Sequence, residues 1–217
     1  SWLFSHFHSV SLSLGFSHYD APVLESTSLY TRKAGEEVVS QLYSFTDKGG
    51  RPVSLRPEMT PSLARIVMST KPPLPIKWYS IPQCWRYERS TRGRRREHYQ
   101  WNMDVWGVPG VGAEAEVIKG MVTMMGRVGL TSGDVGVKIS SRGVLREVTE
   151  MLGVGGDKFP SVCVLVDKLE KVPLEAIEGD LEELGVSREE AVKLVEVLGC
   201  KTVDELAGFV GEDSAAI

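Results

Sequence analysis

The chain has 217 residues, a formal net charge of −4 and 42% hydrophobic residues, enough to form the core of at least one sizeable domain. No apolar run reaches transmembrane length, so we expect no membrane insertion, and the total charge does not predict a nucleic-acid-binding protein. The three cysteines (Cys84, Cys163 and Cys200) are far apart, which argues against a disulfide framework or a zinc site and favours a reducing, intracellular compartment.

The N-terminal residues predict a helix followed by a strand. Apolar side chains recur at helical spacing at Leu3, Phe7, Val10 and Leu14. Gly15 suits the end of this helix, and residues 16–24 are typical of a strand that approaches Pro22, a residue confined to sheet edges and strand ends. The chain opens without methionine or a basic signal-peptide region, so we expect an internal start within a longer protein.

Two short extended runs and a helix come next. Residues 41–45 and 53–55 flank residues 47–50, whose two glycines favour a hairpin turn. A helix is predicted from Pro61, because proline is tolerated in a first helical turn, and it should end before Lys71.

Two aromatic segments in the middle of the chain predict a β-hairpin. Residues 77–87 and 99–106 are rich in strand-forming side chains, and the arginine-rich stretch 90–96 lies between them. An antiparallel pair with a long basic connection is the simplest interpretation.

The rest of the chain favours helices. Residues 113–128 carry apolar side chains at helical spacing, and their methionines are typical of core packing. Residues 135–139 alternate as a strand, residues 144–152 predict a helix, and residues 162–166 predict a short strand or buried turn. From Val172 onward we predict short acidic helices joined by Gly179, Gly185 and Gly199.

The chemistry concentrates in the basic connection. Between Gln83 and His98 there are six arginines and two acids. Guanidinium groups bind phosphate oxygens in bidentate geometry, so this loop suits a polyphosphate, although a solvated basic face or a nucleic-acid surface has the same composition. Glu88, Gln100 and Asp104 among the arginines indicate a site that also recognises an amine or a base edge.

Three motifs in the family's order, and a fourth segment after them, resemble the histidyl-tRNA synthetases. Residues 85–89 (WRYER) with residues 94–100 (RRREHYQ) resemble motif 2 of the class II aminoacyl-tRNA synthetases, and residues 55–60 (LRPEMT) are similar to the L-R-P-E-x-T segment of the histidine enzymes. Residues 15–25 resemble motif 1, through which these enzymes dimerise, and residues 139–172 are similar to the insertion of eukaryotic-type and organellar members.

The resemblance implies a fold class and a division into domains. We expect an α+β fold, the antiparallel sheet of class II synthetases flanked by helices, incomplete in this chain. Residues 1–138 would form the catalytic core with motifs 1 and 2. Residues 139–217 would begin a mainly helical insertion domain. The histidine-specific motif, motif 3 and the anticodon-binding domain are not found in the sequence, so we expect the fragment to be inactive alone.

The resemblance also implies ATP-binding residues. Arg86 would be the catalytic residue, contacting the α-phosphate and stabilising the charge that develops there. Glu88 would hold the adenine side, Arg94 would bind the outer phosphates, and Arg96 would add a further phosphate contact. His98 stands where most class II enzymes have a phenylalanine that stacks on adenine, and an imidazole can also stack.

A second group of residues would bind histidine. By the resemblance, Glu58 and Thr60 would bind its α-amino group, while Gln100 and Asp104 would recognise its imidazole. An acceptor such as Asp104 rejects analogues that lack the ring N–H. As structural alternatives, Glu58 could cap the following helix and Asp104 could pair with a neighbouring arginine.

The implied activity is that of a histidine–tRNA ligase, which activates L-histidine with ATP and transfers it to tRNA(His). Magnesium would accompany ATP, no metal would be held by the protein alone, and a homodimer would form through the motif 1 region, within a larger assembly where one exists. The organellar resemblance favours the mitochondrial matrix or a plastid over the cytoplasm.

Two other functions remain open. One is a catalytically inactive paralogue that serves as a regulatory or structural subunit, such as the synthetase-like partner of ATP phosphoribosyltransferase. The other is a basic RNA-binding module that would use residues 92–96 on phosphates and lose affinity steeply with salt.

Overall fold

A computed structural model describes residues 1–32, 39–153, 156–166, 174–200 and 202–210. The chain divides into two compact units, Ser1–Gly136 and Val137–Ile217. Within the described ranges, the first unit combines helices with strands and the second contains helices. No helix in these ranges is long and apolar enough to cross a membrane.

The helices and strands of the first unit follow one another in short alternation. Its helices are α1 (Trp2–Ser13), α2 (Thr27–Thr31), α3 (Thr60–Thr70) and α4 (Gly112–Arg127). Its strands are β1 (Ser17–His18), β2 (Leu24–Ser26), β3 (Ser44–Thr46), β4 (Pro52–Leu55), β5 (Ile76–Ser80), β6 (Gln83–Trp85), β7 (Glu97–Tyr99) and β8 (Asn102–Trp106). They form sheets of order β1-β5-β8, β2-β4-β3 and β6-β7.

The predicted N-terminal helix is confirmed as α1. The Ser1 hydroxyl accepts a hydrogen bond from the Phe4 N–H at 3.4 Å and caps the first turn. Gly15 follows the helix with φ +76°, a conformation that glycine adopts without a Cβ clash.

The strand predicted over residues 16–24 is wrong as a single element. It divides into β1 and β2, which belong to different sheets. The bend between them is held by Arg56, which is 5% exposed and donates to Ala21 O at 2.7 Å and to Asp20 Oδ1 at 3.3 Å. Pro22, which has no N–H to donate, lies at this bend.

The predicted hairpin and the helix after it are both confirmed. β3 and β4 pair antiparallel around a turn in which Asp47 Oδ1 accepts from the N–H groups of Gly49 (2.8 Å) and Arg51 (2.9 Å). α3 carries Pro61 in its first turn and ends at Thr70, before Lys71 in the left-handed conformation.

The two aromatic segments form the predicted antiparallel hairpin, in two stages. β5 pairs with β8 and β6 pairs with β7, and Pro82 lies in the break between β5 and β6. The register is the same in both stages, because Trp78 lies opposite Asp104 and Cys84 opposite His98. The N–H of Gln100 donates to Pro82 O at 3.0 Å across the break, so the hairpin continues through it.

Helices α1 and α4 cover one face of this hairpin, which we call the helix face. Its residues are Lys77, Tyr79, Tyr99, Trp101 and Met103. The Trp101 ring stacks on Phe7 of α1 at 4.7 Å between ring centroids, and Lys77 Nζ donates to Glu116 of α4 at 2.5 Å. Gly120 of α4 passes so close to Met103 that a Cβ there would lie 3.2 Å from its side chain.

The methionine-rich helix is confirmed as α4, but its methionines play different parts. Met124 is buried in the core as expected, whereas Met121 is 40% exposed. The prediction of core packing therefore holds for Met124 and fails for Met121, while Met125 is half-buried.

The second unit is a cluster of short helices around an apolar core. These are α5 (Arg142–Met151), a 3-10 turn (Gly156–Lys158), α6 (Phe159–Val166), α7 (Leu174–Glu183), α8 (Arg188–Leu198) and α9 (Val203–Val210). The buried core comprises Leu145, Val148, Val162, Leu165, Ile177, Leu181, Val186, Ala191, Leu194 and Val197. α8 begins with a capping box between Ser187 and Glu190.

Three predictions in this part of the chain are wrong. Residues 135–139 form no strand, since nothing in the described ranges pairs with them. Residues 162–166 lie in α6, where Val162 and Leu165 share a buried face, because a short apolar run has no periodicity that separates strand from helix. Gly179 lies inside α7, which the buried Ile177 and Leu181 hold in place despite the low helix propensity of glycine.

Candidate active site

The candidate residues of the hairpin lie on the face opposite α1 and α4, which we call the site face. In an antiparallel pair, opposed residues share a face and alternate residues return to it. The register therefore places on this face Trp78, Ser80, Cys84, Arg86, Arg96, His98, Gln100, Asn102 and Asp104. The Arg86 N–H donates to Arg96 O at 2.9 Å, which extends the register to both arginines. The structure thus brings together five of the predicted site residues.

Arg86 is oriented toward the L-R-P-E segment. Its Nε donates to Pro57 O at 3.0 Å, and its Nη2 lies 3.9 Å from Glu58 Oε2. Both side chains are about one third exposed, so this loose ion pair lies at the surface of the site. A phosphate beside Arg86 and an ammonium beside Glu58 fit the charges of the two groups.

The start of α3 does not depend on Glu58. The helix has Met59 at its N-cap position and no side-chain cap, so the alternative in which Glu58 caps this helix is wrong. Thr60, the first helical residue, is exposed two positions after Glu58. Its hydroxyl is therefore close along the chain to the Glu58 carboxylate.

Glu88 and Arg94 are bound to each other. Arg94 Nε donates to Glu88 Oε2, and Arg94 Nη2 donates to Glu88 Oε1 at 3.2 Å. These hydrogen bonds from the guanidinium hold the pKa of Glu88 below its usual value. The Arg94 side chain is 62% exposed, so a ligand can reach its guanidinium group.

Arg96 stabilises the same connection. Its Nε donates to Glu88 O at 3.1 Å, and its guanidinium carbon lies 4.1 Å from the centroid of the Tyr87 ring. A cavity of about 370 Å³ opens beside this connection, lined by Ser40, Gln41, Tyr87, Glu88, Arg89, Thr91 and Arg94.

His98 and Gln100 form a polar pair on the site face. Gln100 Nε2 lies 3.3 Å from His98 Nε2, so the amide donates when that ring nitrogen is unprotonated. Burial lowers the pKa of His98, and the nearby Arg86 charge lowers it further. Both effects favour the neutral imidazole, which can stack on a base.

Among the predicted site residues, Asp104 is the one with an enclosed side-chain atom that lacks a hydrogen-bond partner. Its Oδ2 atom is fully enclosed and has no hydrogen-bond partner, and burial raises the pKa of the carboxyl group. No ion pair joins Asp104 to an arginine within the described ranges, so its alternative role as an arginine partner is wrong. An enclosed carboxylate oxygen without a partner is costly, so we expect a hydrogen-bond donor to reach it in the working site.

Sequence reasoning missed three residues around this site. No role was predicted for Arg56. Its Nε donates to Gln83 O at 2.8 Å, and its carbonyl accepts from the Trp85 N–H at 3.0 Å. Tyr19 and Ser80 lie on the site face next to Asp104, each with an enclosed hydroxyl that has no partner. Their position depends on the pairing of β1 with β5, which no local pattern reveals.

The chain as a whole is similar to proteins of one family. The family model described as histidyl-tRNA synthetase matches residues 1–207. The chain belongs to this family. A histidine–tRNA ligase of chloroplasts and mitochondria from Arabidopsis thaliana is 52% identical over 100% of the chain and 45% of its own length. The chain thus spans about half the length of that relative.

Solved structures share the fold of the chain. A histidyl-tRNA synthetase from Nostoc sp. PCC 7120 superposes with a TM-score of 0.78 at 20% identity, over 95% of this chain and 46% of that one. An ATP phosphoribosyltransferase regulatory subunit/histidyl-tRNA synthetase from Bacillus halodurans gives a TM-score of 0.74 at 19% identity, over 97% and 55%. The α+β fold of the class II synthetases is thereby confirmed, and the fold alone does not separate a ligase from a regulatory subunit.

Whether the protein itself could hold a metal ion depends on its ligand-type side chains. Within the part of the chain that the structure describes, no group of three or more His, Cys, Asp or Glu side chains could hold a metal ion. A magnesium ion bound through the phosphate oxygens of ATP and water needs no such protein cage.

Proposed function

We propose that the chain is the first half of the catalytic domain of a histidine–tRNA ligase. The whole protein would activate L-histidine with ATP to histidyl-adenylate and pyrophosphate, and transfer the histidyl group to tRNA(His). The observation that carries this proposal is the site face, where Asp104, whose Oδ2 is enclosed and unpartnered, lies on the same hairpin as Arg86 and Gln100.

Histidine would bind between the hairpin and the L-R-P-E segment. Glu58 carries a negative charge for the α-ammonium group, with the Thr60 hydroxyl as a further acceptor. Gln100 and Asp104 would contact the imidazole, with an Asp104 carboxylate oxygen accepting the ring N–H. Recognition by an otherwise unpaired buried group penalises amino acids without a ring N–H.

Activation joins the histidine carboxylate to the α-phosphorus of ATP and releases pyrophosphate. Arg86 would bind the α-phosphate oxygens and stabilise the charge that grows there, while Pro57 O holds its Nε side. Glu88 would contact the adenine side, and Arg94 and Arg96 would bind the outer phosphates.

The remaining ATP contacts involve His98 and magnesium. His98 would stack on adenine as a neutral ring, which its lowered pKa supports. Mg²⁺ would be bound by the phosphate oxygens of ATP and by water, and would neutralise part of their charge.

Other properties follow from the family and its relatives. We expect a homodimer through residues 15–25 and tRNA(His) as the second substrate. The second unit would be the start of the insertion domain, assigned to residues 139–217. The mitochondrial matrix or a plastid is the favoured compartment, because the relative from Arabidopsis thaliana is named for chloroplasts and mitochondria.

ATP–pyrophosphate exchange with the full-length protein tests the proposal. Exchange should depend on L-histidine and not on other amino acids, and Arg86→Gln should lower kcat by about 100-fold, since removal of one transition-state donor has an effect of this size. Arg142→Gln, an exposed arginine at the start of α5, is the matched control and should retain full activity. A protein without histidine-dependent exchange and without saturable histidine binding in calorimetry would instead be a regulatory subunit.

A further inference from the structure

Enclosed polar atoms without partners are concentrated at one place in the fold. Four such side-chain atoms occur in the described ranges, and they belong to Tyr19, Arg65, Ser80 and Asp104. Arg65 has another donor engaged, because its Nη2 bonds Glu25 at 2.5 Å. The other three atoms are Tyr19 Oη, Ser80 Oγ and Asp104 Oδ2.

These three groups converge on the site face of the sheet β1-β5-β8. β1 runs parallel to β5, and the Tyr19 N–H donates to Tyr79 O at 3.0 Å, so Tyr19 continues the register beside Ser80. Trp78 lies directly opposite Asp104, and the Trp78 ring centroid is 5.7 Å from that of Tyr19. The Tyr19 side chain thus reaches across the central strand toward Asp104.

The electrostatics of Tyr19 agree with this placement. Burial raises its pKa to about 12, Ser80 lowers the pKa in part, and the Asp104 charge raises it. Tyr19 and Ser80 are close enough for this effect, although neither hydroxyl makes a hydrogen bond of normal geometry. At neutral pH Tyr19 is a protonated phenol, so it is a hydrogen-bond donor.

The three groups are chemically complementary. Two are hydroxyl donors and one is a carboxylate acceptor, and each leaves its bonding capacity unused. Buried groups in that condition cost free energy, which a small side-chain rotation that joins them would recover. Of the two Asp104 oxygens, Oδ2 is the one that is enclosed without a partner, as both hydroxyls are.

We propose that Tyr19 and Ser80 are positioning residues for Asp104. When histidine binds, their hydroxyls donate hydrogen bonds to Asp104 Oδ2 and orient the carboxylate so that its other oxygen accepts the imidazole N–H. The identity of the ligand rests on the proposed function, whereas the arrangement of Tyr19, Ser80 and Asp104 rests on the sheet.

This role has a consequence for pH dependence. Hydrogen bonds donated to a carboxylate favour its charged form and lower its pKa, opposing the effect of burial. Loss of the Tyr19 hydroxyl should therefore raise the pKa of Asp104 in the working enzyme. The acid limb of kcat, which reports the complex with histidine in which these bonds form, would then move to higher pH.

The test is Tyr19→Phe in the full-length protein, assayed by histidine-dependent ATP–pyrophosphate exchange. We expect KM for histidine to rise about 3- to 10-fold, the effect of one lost hydrogen bond, with KM for ATP unchanged and the acid limb shifted to higher pH. Ser80→Ala should change the same quantities in the same direction.

Tyr79→Phe is the matched control. It removes the same hydroxyl from the neighbouring strand position on the helix face, where Tyr79 bonds His8 Nδ1 at 2.9 Å. It should leave KM for histidine and the pH profile unchanged. In an Asp104→Asn background, Tyr19→Phe should have little further effect, because it acts through the carboxylate.

The possible outcomes separate the two proposals. A wild-type protein without histidine-dependent exchange overturns both. An active wild type whose Tyr19→Phe and Ser80→Ala variants match Tyr79→Phe overturns the positioning role alone. The same holds if Tyr19→Phe weakens ATP and histidine equally, or acts undiminished in the Asp104→Asn background.

Discussion

The two units of the chain differ in what they bury. In the first unit the buried side chains include those of Arg56, Ser54, Ser62 and Ser80. All four enclosed polar atoms that lack a partner in the described ranges lie there. The core of the second unit is aliphatic, and its buried polar side chain, Thr149, donates to Arg146 O within its own helix.

This difference indicates which unit is built for stability and which is suited to binding a ligand. An aliphatic core contributes stability in proportion to the area it buries, and it leaves no hydrogen-bonding group for a ligand to satisfy. Enclosed polar groups without partners cost stability, so their accumulation on one sheet face is expected where a ligand supplies the missing contacts. The first unit therefore carries the candidate site, and the second is held together by its core.

The largest expected effect is the loss of Arg56. Arg56→Ala leaves the carbonyl oxygens of Gln83 and Ala21 without their donor, which should lower the free energy of unfolding by about 4 kcal/mol. Denaturant unfolding of the full-length protein measures this, and Arg51→Ala is the control because Arg51 is exposed in the β3–β4 turn. Equal stability of the two variants would show that the polar interior of the first unit is not held by Arg56.

A core substitution in the second unit comes next. Leu194 is 2% exposed, and Leu194→Ala should lower the free energy of unfolding by about 3 kcal/mol through the cavity it leaves. KM for histidine should stay unchanged in exchange assays, since the site lies in the first unit. Val192→Ala, a partly exposed position in the same helix, should cost much less. A rise in KM for histidine with Leu194→Ala would show that histidine binding also depends on the core of the second unit.

The smallest effect expected on stability is an increase in the free energy of unfolding, caused by Asp104→Asn. Because burial raises the pKa of Asp104, the folded protein binds its proton more tightly than the unfolded chain does. The stability from this group is present at low pH, below the unfolded pKa, and is lost as pH rises through the folded pKa. Asp104→Asn should therefore raise the free energy of unfolding at neutral pH by about 1 kcal/mol and weaken its pH dependence.

Asp134 provides a comparison of opposite sign. Its carboxylate accepts from the N–H (2.9 Å) and the hydroxyl (2.8 Å) of Thr131, and these bonds lower its pKa. Asp134→Asn should therefore destabilise the protein at neutral pH. If both asparagine variants were destabilised, the unpartnered state of Asp104 would not cost stability.

Much of the fold could be predicted where local patterns are strong. α1, α4 and the β3–β4 hairpin follow from apolar spacing and from glycines at turns. The division of residues 16–24 could not be predicted, because it depends on Arg56, which is distant in sequence. The helix at residues 162–166 was missed since a short apolar run suits a strand equally well.

The candidate site was predicted in part for a similar reason. Arg86, His98, Gln100 and Asp104 alternate along two strands, so their common face was implicit in the hairpin. The pairing of Glu88 with Arg94 depends on how the connection closes on itself. The place of Tyr19 depends on the parallel strand β1. Their roles toward ATP and histidine stay predictions.

The most direct test of the account is the specificity of the Asp104→Asn variant in histidine-dependent ATP–pyrophosphate exchange. The account predicts that kcat/KM for histidine falls by about 10- to 100-fold while KM for ATP is unchanged. Discrimination against thiazolylalanine, which has no ring N–H, should fall with it. Unchanged activity toward histidine, or a loss shared equally with the thiazole analogue, would contradict the claim that this enclosed carboxylate recognises the imidazole.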